Sequence, residues 1–223
     1  MPITAFLLGT WQVKRLEWKT NLITKFEDRI LKPPLPLPPM IDPAAVKDFD
    51  YRRVYARGVF RYDQEMLIGP RVHDGKDGFL VITPLERHGA SKVLVNRGWI
   101  ARGKRKQVDR LGGLPTGTVL VEGLLREPFQ KNLFTPDNKP EEGMWHFPDV
   151  KQMADVSGSE PIWIEETMGK HIPFLGQDWQ YSANVLIVQD LVTSYDREAI
   201  GMPIGRTAAV NLRNNHTQYI FTW

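Results

Sequence analysis

The sequence predicts an α+β protein that is mainly β: a single antiparallel β-barrel or sandwich-like domain with a few helices, flanked by the truncated ends of two transmembrane helices. Three observations support this prediction. Short strand-like segments separated by Gly, Pro, Asn and Asp fill the middle of the chain. Two amphipathic helical stretches lie among them. Both ends of the chain are apolar, whereas its middle is well charged.

The composition places the chain among globular proteins and excludes several kinds of site. Of its 223 residues, 42% are hydrophobic and 25% are charged. The absence of cysteine excludes disulfide bonds, thiolate metal sites and cysteine nucleophiles. A net charge of +3 permits contact with an anionic membrane surface or a nucleic acid, but it requires neither.

Residues 1–32 are predicted to form the end of a first transmembrane helix, followed by an amphipathic helix. Residues 1–11 are almost free of polar groups, but they make up only half of the roughly 20 residues that a helical crossing needs. A buried first strand or helix is the alternative. From Trp11 to Leu31, apolar residues recur at helical spacing and charged residues occupy most of the remaining surface.

Residues 33–40 are predicted to be a stiff, extended spacer. The prolines of this segment cannot continue a helix, and they favour the polyproline conformation. A recognition motif for a partner protein is the alternative.

Residues 41–213 are predicted to form the β-rich domain. The predicted strands do not alternate with helices, as they would in a parallel sheet. The strands are therefore expected to be antiparallel. The predicted strands are 53–60, 65–69, 79–83, 92–96, 119–125, 161–164 and a final candidate at 208–212. The predicted helices are 148–156, which ends before Gly158, and 182–200, which ends before Gly201.

The histidines and the common catalytic motifs indicate no metal or nucleotide site. The five histidines are far apart and form no HExxH pattern: His73, His88, His146, His171 and His216. The GxSxG, GxGxxG and GxxxxGK[ST] motifs of common hydrolases and nucleotide-binding proteins are absent. His73 is expected in an exposed turn.

Two charged clusters are weaker signals of function. Glu165 and Glu166 are paired carboxylates after a predicted strand, where solvated charges are expected rather than an acid–base pair. Residues 102–106 are basic and fit either phospholipid headgroups or a solvated loop. Because no aromatic or groove-reading element accompanies them, no nucleic acid partner is predicted.

The loop 134–147 is unusually rich in aromatic residues and proline. Trp145 and Phe147 are expected to cover the core, which makes His146 a capping or hydrogen-bonding residue. A ligand role for His146 is the alternative.

Residues 214–223 turn from polar to apolar and are predicted to form the start of a second transmembrane helix. His216 lies at its edge, where a neutral imidazole can offer a nitrogen to haem iron. Ionisable groups near a span are costly and are by default functional candidates. The alternative is an interfacial histidine that is hydrogen-bonded among Asn214, Asn215 and Gln218.

Taken together, these segments resemble the surfeit locus protein 1 family (Shy in yeast), whose members are assembly factors for cytochrome c oxidase. The resemblance covers nearly the whole chain and depends on an ordered set of motifs. These are Leu8–Arg15 with Trp18–Ile23, Tyr51–Arg52 with Gly58 and Phe60, Val95–Ile100, Phe134-x-Pro136-x-Asn138-x-Pro140 with Trp145, and Leu212-Arg213-Asn214-x-His216-x-Gln218-Tyr219 with Thr222–Trp223. The chain departs from the family pattern at Ala101, where proline is usual, and at Thr217, where leucine is usual. Residues 168–202 look like an insertion.

The resemblance implies a protein with two transmembrane helices in the mitochondrial inner membrane, or in the plasma membrane if it is bacterial. Its β-rich domain is expected to face the intermembrane space. The implied role is maturation of the catalytic haem–copper subunit of the oxidase. The implied partners are that subunit, other assembly factors and inner-membrane lipid.

The resemblance also implies a cofactor residue. The histidine of the Asn-x-His motif makes His216 the candidate haem a ligand, and haem iron is the one metal expected. No catalytic residue is implied, so the chain is not expected to be an enzyme. The alternatives are a scaffold that stabilises an early assembly intermediate without haem, and an enzyme that acts through Glu165, Glu166 or His146.

Overall fold

The computed structural model describes residues 2–173 and 193–210. The chain divides into two compact units, each of which folds around its own contacts. One comprises Met1–Pro33 and Ala209–Trp223, and the other comprises Pro34–Ala208.

The first unit contains one long helix, α1, which spans Pro2–Leu31. The helix predicted from Trp11 to Leu31 is therefore confirmed, and the apolar start of the chain belongs to the same helix. Within the described ranges, no helix has both the length and the apolar character needed to cross a membrane. The first predicted transmembrane helix is thus not confirmed, and the second, at 214–223, lies outside the described residues.

The second unit is built on a mixed sheet. The described strands are β1 (Leu35–Pro36), β2 (Arg53–Phe60), β3 (Met66–His73), β4 (Lys76–Glu86), β5 (Val93–Ala101), β6 (Thr118–Arg126) and β7 (Trp163–Pro173). Their order across the sheet is β1-β2-β6-β7-β5-β4-β3, and β2 also pairs with β4. The strands β2, β6, β7, β5 and β4 therefore close into a five-stranded barrel, and β3 extends it beyond β4.

The expectation of a purely antiparallel sheet is wrong at two places. Most neighbours in the sheet are antiparallel, but β7 runs parallel to β5 and β1 runs parallel to β2. The reason is that β7 lies between β6 and β5, which are consecutive in the chain and antiparallel to one another. A strand inserted between them is necessarily parallel to one of the two.

The barrel interior is filled by alternate side chains of its five strands. On β2, Val54, Ala56, Gly58 and Phe60 are buried while the residues that alternate with them are more exposed, as the alternation in the sequence predicts. Val54, Ala56 and Phe60 join one cluster with Leu85, Val93, Val95, Val119, Val121, Leu125, Ile162 and Ile164, and with Val46 from a 3₁₀ helix at Pro43–Phe49. Gly58 is required where β2 meets β4, because a Cβ atom there would lie 2.4 Å from the Glu86 carbonyl oxygen.

Helix α2 (Val150–Ser157) covers the outer face of the sheet. Its buried apolar residues, Val150, Met153 and Ala154, belong to a second cluster with Ile82, Leu94, Trp145 and Trp163. The Asp149 side chain accepts a hydrogen bond from the Gln152 N–H at its start, and Gly158 ends it with φ of 63°. The predicted helix 148–156 and its glycine cap are confirmed.

Helix α3 (Ser194–Ile200) differs from the predicted helix 182–200. Thr193 has extended backbone angles and forms a capping box with Asp196, so the helix begins at Ser194. Residues 182–192 lie outside the described residues. The expected apolar stripe is also not buried here, since Tyr195 is exposed and Arg197 is the buried side chain. Gly201 ends the helix as predicted.

The described residues after α3, 201–210, contact the barrel through two single bridges and form no strand. Trp99 pairs with Ile204, and Thr167 pairs with Arg206. The final strand predicted at 208–212 is wrong for residues 208–210, because 208–209 form a bend and 210 has no regular structure, and its remainder lies outside the described residues.

The proline-rich segment is extended, as predicted, and it is attached to the barrel. Residues Leu35–Pro36 form β1 beside β2, and the Leu37 N–H donates to the Tyr55 carbonyl oxygen. The Arg87 guanidinium donates to the carbonyl oxygens of Pro38 at 2.8 Å and Pro39 at 3.1 Å. A buried guanidinium thus supplies hydrogen-bond donors to the carbonyl oxygens of the proline-rich segment and holds it against the barrel.

Candidate functional site

The loop between β6 and α2 is organised around Asn138. Its side-chain oxygen accepts hydrogen bonds from the N–H groups of His146, at 2.8 Å, and Phe147, at 3.0 Å. Its side-chain nitrogen donates to the Phe147 carbonyl oxygen and to Gln152 of α2. Trp145, which directly precedes His146, is buried in the second cluster, whereas Phe147 is half-buried. The expected covering role is thus confirmed for Trp145.

Substitution of Asn138 with alanine should lower the free energy of unfolding by about 2 kcal/mol, because the N–H groups of His146 and Phe147 lose their acceptor. Chemical unfolding followed by tryptophan fluorescence would measure the change. Asn132→Ala is the matched control, since Asn132 bonds only within an exposed turn. An equal loss in both variants would contradict the anchoring role of Asn138.

A cavity of about 520 Å³ lies beside this loop, on the outer surface of the sheet. Its lining combines residues of β3 and β4, the basic turn after β5 and the loop that Asn138 holds: Gly69, Phe79, Arg102, Arg105, Met144 and His146. The Arg105 guanidinium carbon lies 5.5 Å from the centroid of the Phe79 ring. The lining also contains one carboxylate, Asp77, so its two guanidinium groups leave it with a net positive charge that suits an anionic group.

His146 contributes its backbone to this arrangement. Its N–H donates to Asn138, and its carbonyl oxygen accepts a hydrogen bond of 2.8 Å from Arg71. The imidazole is half-buried on the wall of the cavity. The hydrogen-bonding role expected of this residue is therefore present in its main chain.

The basic residues 102–106 begin with a 3₁₀ helix, Arg102–Lys104, and most of them are exposed. This agrees with the solvated loop that was one of the two expectations. The headgroup-binding alternative stays a prediction.

The expectation that Glu165 and Glu166 are solvated charges is wrong. Both are buried, with 5% and 3% of their surfaces exposed. Glu165 accepts hydrogen bonds from Arg126 at 2.8 Å and from Arg206 at 2.5 Å. Two guanidinium groups thus bind one oxygen of this buried carboxylate, which makes Glu165 part of a structural ion-pair network.

Arg126 links this carboxylate to a second one. Its Nε donates to Asp50 at 3.1 Å, and its guanidinium carbon lies 4.0 Å from the centroid of the Tyr51 ring. Burial lowers the pKa of Arg126, but the charges of Glu165, Tyr51 and Asp50 outweigh it and raise the pKa above its ordinary value. Arg126 therefore remains a cation in the folded protein.

A further group of charged side chains is buried near the 3₁₀ helix Gln107–Gly113. Arg97 is 1% exposed, donates to the Gly113 carbonyl oxygen at 2.6 Å and lies over Phe60, whose centroid is 4.6 Å away. The buried Arg110 forms an ion pair with Glu65. Burial raises the pKa of the neighbouring Tyr62 hydroxyl to about 12, so that side chain is neutral at physiological pH.

These buried arginines are the residues that the sequence reasoning missed. For Arg97 a signal was available, because Val93 and Val95 precede it at a period of two on the strand's inward side. Arg110 and Arg126 have no comparable local signal.

Among the described residues, no group of three or more metal-ligating side chains comes together. His73 ends β3 at the expected turn, and its ring centroid lies 5.2 Å from that of Trp99. His216, the candidate haem a ligand, lies outside the described residues.

Comparison with known proteins identifies the family. The sequence model of the SURF1 family matches residues 1–223. The human protein named Surfeit locus protein 1 is 35% identical over 239 residues, which cover 100% of this chain and 70% of the human protein. The Saccharomyces cerevisiae protein named Cytochrome oxidase assembly protein SHY1 is 31% identical over 269 residues, which cover 100% of this chain and 69% of the yeast protein. Since the match runs from end to end, this chain belongs to the SURF1 family.

Proposed function

We propose that this chain is an assembly factor for cytochrome c oxidase that acts in maturation of the catalytic haem–copper subunit. The support is its similarity, along its whole length, to a yeast protein whose name assigns it to cytochrome oxidase assembly. The proposed location is the mitochondrial inner membrane, with the barrel in the intermembrane space. The apolar start of α1 and residues 214–223 are the proposed membrane-facing ends.

The proposed activity is the handling of haem a through His216. Haem a is cargo in this proposal, and His216 would hold it by offering an imidazole nitrogen to its iron. The barrel interior is filled by the first cluster of apolar side chains. A haem must therefore be held outside the barrel, which favours the segment that carries His216.

The second proposal is a scaffold that stabilises an early oxidase intermediate without haem. The filled barrel favours it, because such a domain offers its partners a rigid outer surface. Both proposals are non-enzymatic. The double ion pair of Glu165 supports this, since it engages that carboxylate in the packing of the barrel domain.

The decisive experiment measures haem a in the full-length protein purified in detergent from cells that make the oxidase. The wild-type protein should carry haem a, and His216→Ala should lose most of it. His146→Ala is the matched control, because that histidine belongs to the barrel surface and should leave the haem content unchanged.

Equal haem content in wild type and His216→Ala would overturn the haem proposal. If His216→Ala also restores oxidase assembly in cells that lack the protein, the scaffold proposal is supported. If cells without the protein assemble normal amounts of oxidase, both proposals are wrong.

A further inference from the structure

The tip of the loop between β6 and α2 presents two large apolar side chains to solvent. Leu133 is 99% exposed and the neighbouring Phe134 is 94% exposed. These are the largest exposures of apolar side chains in the described part of the second unit. Large apolar groups that are adjacent and fully exposed mark sites of interaction more often than isolated ones do.

The turn that carries them has a defined conformation. The Asn132 side-chain oxygen accepts hydrogen bonds from the Phe134 N–H at 3.0 Å and the Thr135 hydroxyl at 2.7 Å. The Thr135 N–H donates to the Asn132 carbonyl oxygen at 3.2 Å. An ion pair between Lys131 and Asp137 closes the base of the turn. The two side chains are therefore displayed by an ordered turn, which lowers the entropy lost on binding.

The packing of the loop does not depend on these two side chains. Phe129 packs edge-on against Trp163, with ring centroids 6.1 Å apart, and Trp145 is buried against the sheet. Asn138 ties the end of the loop to α2. Phe129, Trp145 and Asn138 thus hold the loop on the barrel domain. Among the described contacts, the side chains of Leu133 and Phe134 contribute none to the packing of the loop.

The charges around the tip favour a protein partner over a membrane surface. Residues 127–142 carry four carboxylates and two lysines, although the whole chain has a net charge of +3. The carboxylates are Glu127, Asp137, Glu141 and Glu142. Membrane-surface segments are typically basic, because they face anionic headgroups. An acidic surrounding instead complements a basic rim.

We propose that Leu133 and Phe134 form an anchor that inserts into an apolar pocket with a basic rim on a partner protein. This inference rests on the proposed function, under which the partner belongs to the oxidase assembly intermediate. It adds to that function a specific contact surface on the barrel domain. The anchor acts as one unit, since the Asn132 turn fixes the two side chains next to each other.

The test places a photo-crosslinking amino acid at position 134 of the full-length protein in cells that make the oxidase. The same amino acid at position 108 is the control, because Val108 is also exposed, at 72%, but lies in another segment. Antibodies against the oxidase subunits identify the adducts. We expect an adduct with an oxidase subunit from position 134 and none from position 108.

A double variant, Leu133→Ser with Phe134→Ser, separates binding from folding. Because both side chains are exposed, its unfolding midpoint should match that of the wild type. Its recovery with the oxidase subunit should fall at least about tenfold, as is typical of an anchoring pair. Asn132→Ala, which leaves both side chains but frees the turn, should give a smaller loss.

Each other outcome overturns the inference. Adducts with lipid, or binding of the purified protein to vesicles of phosphatidylcholine and cardiolipin that depends on the pair, would indicate a membrane contact. Adducts with only a second copy of the chain would indicate self-association. If wild type and double variant restore oxidase equally in cells that lack the protein, the anchor is wrong while the proposed function stands. If those cells need no restoration, the proposed function itself is wrong.

Discussion

Replacement of Arg126 with methionine is expected to lower the free energy of unfolding by about 3–5 kcal/mol. Methionine keeps much of the volume of the arginine stem but removes the cation between Asp50 and Glu165. Asp50 and Glu165 then lose the cation that they share, which leaves Glu165 with Arg206, and the stacking on Tyr51 is lost as well. Chemical unfolding of the whole chain, followed by tryptophan fluorescence, measures the change.

The control for this prediction is Arg61→Met. Arg61 also links two carboxylates, Asp63 at 3.0 Å and Glu86 at 2.8 Å, but in an exposed position. Water solvates those carboxylates when the arginine is removed, so the unfolding midpoint should barely move. Comparable losses in the two variants would show that burial of the Arg126 network does not determine its effect.

Replacement of Gly98 with alanine is expected to cost about 3 kcal/mol or more, and to detach the segment after α3 from the barrel. Two effects add together. Gly98 has φ of 113°, a conformation that side-chain-bearing residues rarely adopt. A Cβ atom there would also lie 2.1 Å from the Ile204 carbonyl oxygen, which accepts the Trp99 N–H at 2.9 Å. Hydrogen exchange at the Trp99 and Ile204 amides would report the detachment.

Gly117→Ala isolates the first of these effects. Gly117 also has a positive φ, 79°, but a Cβ atom there would meet no other atom within 4 Å. Its cost should be about 1 kcal/mol, from backbone strain alone. If Gly98→Ala costs no more than Gly117→Ala, the close approach of Ile204 to β5 is wrong.

Local patterns predicted most of the fold. The alternation at 53–60 matches β2, and α2 with its Gly158 cap is found close to the predicted 148–156. The strands β4 and β5 are longer than predicted, because Lys76-Asp77 precede the apolar run of β4 and Arg97-Gly98 interrupt that of β5. The start of α3 could have been found, since Thr193 and Asp196 have the spacing of a capping box.

The buried charges could not be predicted in the same way. Glu165 is buried because Arg126 and Arg206 reach it, and these arginines are 39 and 41 residues away in the sequence. No periodicity shows which cation will be brought to which carboxylate by a closed barrel. The cavity beside Asn138 could not be predicted for the same reason, because its walls come from four segments that are separate in the sequence. The sequence indicated that the loop 134–147 is unusual, but it did not indicate the cavity that this loop and three other segments line.

The insertion of β7 between β5 and β6 has a consequence for synthesis of the chain. The barrel closes only when β7 pairs with both β5 and β6, and β7 begins only at Trp163. A nascent chain that has not yet passed this residue presents two unpaired strand edges, one on β5 and one on β6, although every other barrel strand is already complete. Such edges readily pair with other chains. During translation, therefore, the interval before residue 163 emerges is the period in which this protein most needs protection from aggregation.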